Sequence, residues 1–91
     1  MEVELTNKAV KQYERLKDPI LSQITIAIDK LEFDPPDGDI EKLEDKTNEY
    51  RLRVRDKRIL FSVEKRIKTD GTRENYILIH RIASRGQVYK K

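Results

Sequence analysis

Polar and apolar residues alternate at the start of the chain, Glu2-Val3-Glu4-Leu5, and this period of two predicts a short strand. Thr6 follows as the N-cap of a short helix whose inner face carries Ala9, Val10, Tyr13 and Leu16. A second helix starts at Asp18-Pro19, with Asp18 as cap and the proline in the first turn, where its missing N–H costs nothing. Its apolar residues Ile20, Leu21, Ile24, Ala27, Ile28 and Leu31 recur at helical spacing, so the two helices make a hairpin. Asp34-Pro35-Pro36-Asp37-Gly38-Asp39 ends that helix in a loop, because a proline pushes the residue before it towards extended backbone. Leu43 then stands as an isolated apolar anchor.

From Tyr50 the period returns to two. Tyr50, Leu52 and Val54 point to one side of a strand and Arg51, Arg53 and Arg55 to the other, into water. Asp56-Lys57 reads as the turn into a strand from Arg58 to Ile67, Asp70-Gly71 as a second turn, and Asn75 to Ala83 as the last strand. In that last strand Ile77 and Ile79 face one way and Leu78 and His80 the other, the two-sided apolar character of an interior strand. The pattern contains no internal repeat and no low-complexity segment. It predicts one α+β domain over residues 1–91: an N-terminal strand, a helical hairpin on one sheet face, and a three-stranded antiparallel meander forming one sheet. The opposite face stays open and carries Arg51, Arg53 and Arg58.

A chain of 91 residues affords one modest core. It has no cysteine, which excludes a disulfide framework and a thiolate metal site. No basic-then-apolar leader opens it and no apolar run approaches the roughly 18 to 20 residues of a membrane span, so a cytoplasmic location is expected. The net charge of +3 conceals an asymmetry: residues 1–50 hold 7 Lys or Arg against 13 Asp or Glu, and residues 51–91 hold 13 against 4. A basic half built into strands suits nucleic acid or an acidic protein surface, the plain alternative being a well-solvated face.

Aligned guanidiniums repel one another, and each planar fork binds phosphate oxygens bidentately, so a row of them on a sheet face points to a polyanion. His80, the lone histidine, has a side chain suited to proton transfer near neutrality. Its place in the apolar centre of a strand favours a structural or partner-facing role. One histidine and scattered carboxylates offer no metal cluster, and neither a Ser-His-acid order nor a glycine-rich phosphate loop is present.

The order of strand, helical hairpin, Lys42-Leu43, Tyr50-Arg51-Leu52-Arg53-Val54, tight turn, Arg58-Ile59-Leu60-Phe61, His80-Arg81-Ile82 and Arg85-Gly86-Gln87-Val88-Tyr89-Lys90 resembles the RelE branch of the RelE/ParE toxin superfamily. The likeness covers nearly the whole chain. It implies a microbial-ribonuclease-like fold and the toxin of a type II toxin-antitoxin pair, an endoribonuclease that enters the ribosomal A site and cuts messenger RNA, so inhibiting translation. It implies neither metal nor other cofactor: the 2′-hydroxyl attacks the adjacent phosphate, leaving a cyclic phosphate and a free 5′-hydroxyl.

By that resemblance Arg51 and Arg53 match the basic pair of the first meander strand, where some relatives have Lys. Arg58 matches the arginine on the scissile phosphate, Arg85 the C-terminal arginine, and Tyr89 the tyrosine that stacks on or orients the target nucleotide. Catalysis is thus expected from Arg53, Arg58, Arg85 and Tyr89, and RNA binding from Arg51, Arg53, Arg55, Lys57 and Arg81. Three points stay open: Tyr89 can instead cover the core edge, Arg81 can instead pair with a carboxylate, and arginines leave the general base unassigned. Many relatives place a histidine near the C-terminal tyrosine where this chain has Ser84. The implied partners are a RelB-like antitoxin, the ribosome with its message, and operator DNA reached through the antitoxin, with no membrane. The alternative within the superfamily is a ParE-like gyrase inhibitor, or a relative that has lost catalysis and binds only its antitoxin.

Overall fold

A computed structural model describes residues 1–44 and 48–85. Along the chain run β1 (Glu2–Leu5), α1 (Asn7–Glu14), α2 (Ile20–Leu31), β2 (Ile40–Lys42), β3 (Glu49–Val54), β4 (Lys57–Ile67) and β5 (Arg73–Ser84). The strands form one five-stranded sheet in the order β1-β5-β4-β3-β2. The sheet is mixed, because β1 lies parallel to β5 while every other pair is antiparallel. This corrects the expected three-stranded antiparallel meander. The α+β class with two helices stands, but the N-terminal strand joins the sheet edge through a parallel pair, and a strand at 40–42 extends the other edge where only an isolated Leu43 was expected.

Alternation sorts the strands into two faces. Leu52, Ile59 and Ile82 lie in one cross-strand row and Tyr50, Phe61 and Ile79 in the next, with Val3 and Ile77 beyond. Ala9, Ile24 and Leu31 of the helices pack against them to complete the buried core. Tyr50 stacks on Phe61, ring centroids 5.5 Å apart. Val10, expected on the inner face of α1, is exposed, and Ala9 is the residue that α1 buries. Among the described residues no helix is long and apolar enough to cross a membrane.

Thr6 joins helix to sheet. Its Oγ1 accepts from the Ala9 N–H at the start of α1 and donates to the His80 carbonyl. Asp18 acts one residue earlier than a formal cap, its carboxylate accepting from both the N–H and the hydroxyl of Ser22. Beyond the end of β1, the Ile82 N–H would lack a strand partner, and Gln12 Oε1 of α1 accepts from it at 2.7 Å.

Two local corrections shape the sheet face away from the helices. The β3–β4 turn is Arg55-Asp56, not Asp56-Lys57, and Arg55 takes φ 54 there while Lys57 already pairs with Val54. Arg55 therefore leaves the strand, so only Arg51 and Arg53 stand aligned on it. In addition, Leu60 pairs with Arg81 while Phe61 pairs with Ile79, so His80 is the extra residue of a β-bulge.

Candidate functional site

The sheet face away from the helices is read row by row from the register. At the β3–β4 turn lie Arg53, Arg58 and Ala83; next come Arg51, Leu60 and Arg81; then Glu49, Ser62, Leu78 and Glu4. Because His80 is a bulge residue, both it and Arg81 project onto this face, His80 bonding Ser62 Oγ through Nε2 at 2.7 Å. The odd apolar step from Ile79 to Ile82, after the even step from Ile77 to Ile79, is the trace this bulge leaves in the sequence.

Directly opposed cations such as Arg53 and Arg58 destabilise a strand pair unless each finds other partners. Arg58 is 5 % exposed, and its Nη1 donates to the carbonyls of Arg55 and Lys57, both at 2.8 Å, so it closes the turn from beneath. Its Nε is buried without a hydrogen-bond partner, and so is that of Arg81. Among the described residues no carboxylate pairs with either. Buried guanidinium N–H groups lacking an acceptor are costly, and a phosphate oxygen supplies what they lack.

Arg51 and Arg53 are differently placed. Arg51 Nη2 meets Glu41 Oε2 at 2.8 Å and Arg53 Nε lies 3.7 Å from Asp39 Oδ2. Both acids flank Ile40 on the edge strand, and neither was singled out from the sequence. The signal available was the polar-apolar-polar run Asp39-Ile40-Glu41, too short for a strand to be read from it.

Arg85 is exposed, and its backbone N–H donates to the Asp56 carbonyl at 2.8 Å, which brings it to the same turn as Arg58. Arg55 is exposed at the turn itself. Lys57 belongs to the helix-side alternation and donates to Ser84 Oγ, so the structure does not bring it onto the arginine face. Tyr89, with Gly86 to Lys90, lies outside the described residues.

At the far end of the face the charge is fully answered. Arg66 bonds Glu2, Glu4 and Glu74 and stands over Tyr76, 4.5 Å from the ring centroid. These bonds raise the Arg66 pKa still further and hold the Glu74 carboxyl below its usual range. At one end of the face carboxylates therefore outnumber the cations they meet, and the other end carries surplus arginine. Among the described residues no three metal-ligating side chains converge.

No known protein-family profile and no curated protein matches the chain. Solved structures do. A chain of the archaeal RelE-RelB complex from Pyrococcus horikoshii OT3 superposes with a TM-score of 0.68 at 24% identity, over 94% of this chain and 96% of that one. A chain of the RelB-RelE antitoxin-toxin complex from Methanococcus jannaschii gives 0.67 at 23%, over 93% of each. The fold is RelE-like. On this RelE-like sheet the surplus arginines gather where β3 turns into β4 and β5 ends. The structure brings Arg53, Arg58, Arg81 and Arg85 to that region and leaves Lys57 behind it.

Proposed function

We propose that the chain is the toxin of a toxin-antitoxin pair and acts as a ribosome-dependent endoribonuclease on messenger RNA. The observation that carries this reading is Arg58: a buried guanidinium with no carboxylate partner among the described residues and a free Nε, beside Arg53 and Arg85 on an open sheet face. At Arg58 itself a phosphate has no ion pair to break. In the reaction the 2′-oxygen bonds to phosphorus as the P–O5′ bond breaks. Arg58 and Arg85 hold the extra negative charge that develops on the phosphoryl oxygens. Arginine keeps its proton, so the 2′-hydroxyl proton passes to water or a ribosomal group, and the leaving 5′-oxygen takes a proton from the same pool.

The cellular partner in this reading is a RelB-like antitoxin, as in the complexes named above. The test is expression of the chain alone, followed by primer extension on translated and untranslated messages. Cuts confined to translated messages support the proposal. Equal cutting of naked RNA removes the ribosome from it, and intact messages with gyrase-linked DNA breaks replace it with ParE-like inhibition.

A further inference from the structure

The arginines of the open face fall into two groups. Arg58 and Arg81 keep an unpartnered Nε, whereas the strand pair Arg51 and Arg53 is met by Glu41 and Asp39, both supplied by the short edge strand β2 and its approach. Glu41 is the direct cross-strand partner of Arg51, and the Arg53 N–H is bonded to the Asp39 carbonyl, so backbone register fixes each acid beside its arginine. The two carboxylates remain 60% and 64% exposed, so they can turn into water without uncovering any core.

We infer that β2 is a built-in counter-charge strand: Glu41 and Asp39 hold the phosphate seats of Arg51 and Arg53 in the free protein, and an RNA strand must displace them. This rests on the reading of the open face as an RNA site. Two consequences follow from the physics. The strand arginines stay aligned before RNA arrives, because each carboxylate neutralises a charge that would otherwise push its neighbour away. Stray polyanions are also disfavoured, since a ligand gains at Arg51 and Arg53 only the difference between a phosphate and a tethered carboxylate. A strand long enough to engage Arg58 and Arg81 as well gains there without exchange. Discrimination by repulsive or competing groups is a general route to specificity.

The test is binding of a short single-stranded RNA to the purified chain, followed by fluorescence anisotropy over a range of salt concentrations. Asp39→Asn with Glu41→Gln keeps side-chain size and removes two negative charges. A control, Glu14→Gln with Asp29→Asn, makes the same change in net charge on the helices, behind the sheet. The β2 variant should bind about three- to tenfold more tightly, the scale of two exposed ion pairs, and the control less than about twofold. Its plot of log affinity against log salt should also steepen by about one unit, because mobile counterions, not tethered carboxylates, are then released. Equal tightening in both variants, or weaker binding in the β2 variant with an unchanged melting curve, overturns the inference while leaving the RNA site in place. Absence of RNA binding in every protein removes both.

Discussion

Arg58 has two duties in one side chain. Its Nη1 closes the turn by bonding two carbonyls, and its Nε is buried without an acceptor. Replacing it with Ala should lower the single-turnover cleavage rate on saturated ribosomes by roughly 10²- to 10³-fold, the scale for one lost transition-state donor. Ribosome binding should change little. Arg58→Lys retains the charge but not the fork, so an intermediate rate is expected. A full rate in the folded Ala variant would remove Arg58 from the chemistry. His80 is tied to Ser62, which is 1% exposed, and its loss strands a buried hydroxyl. His80→Ala should cost about 1–3 kcal/mol in chemical denaturation, and adding Ser62→Ala to it should cost nothing further, because the orphaned group is then gone.

At the scale of elements, β2 depends on a single close approach. Gly38 has φ 140, and a Cβ there would lie 2.7 Å from Leu52 Cδ1, in the core beneath the strand. Gly38→Ala should therefore destabilise the protein by about 1–3 kcal/mol through crowding and backbone strain, read from the denaturation midpoint. At the other edge, β1 is held by Arg66, whose partners Glu2 and Glu4 lie on β1 and Glu74 on β5. The hydrogen bond from Arg66 leads in depressing the Glu74 pKa, with Lys68 assisting. A depressed carboxyl stabilises the fold fully above its unfolded value of about 4.3, and loses that contribution as pH falls through the folded value. Glu74→Gln should thus lower the melting temperature at neutral pH, and the two proteins should converge once the pH has fallen below the folded pKa of Glu74. A constant difference across that range would show that the charge is irrelevant.

For the molecule as a whole, the surplus cations at one end of the open face predict an acidic antitoxin segment as partner, with an affinity that falls as salt rises. Titration calorimetry at low and high ionic strength checks this; unchanged affinity would leave apolar contact as the main contribution. The local elements were legible because period carries them. Glu2 to Leu5, the helix from Ile20 to Leu31 and the strands after Tyr50 each declare themselves within a few residues. The basic strand likewise announced arginines aligned on one sheet face. Other features depend on partners distant in sequence. The parallel pairing of β1 with β5 joins residues more than seventy positions apart, and no local pattern encodes it. The edge strand at 40–42 exists because Leu52 and Arg51 offer it a register. His80 and Arg81 share a face only because a bulge opposite Leu60 and Phe61 shifts the alternation by one. Side-chain chemistry and short-range periodicity were thus determined by the sequence alone; which arginines are answered by carboxylates and which are left open was decided by tertiary register, since ion pairing depends on distance in space and not along the chain.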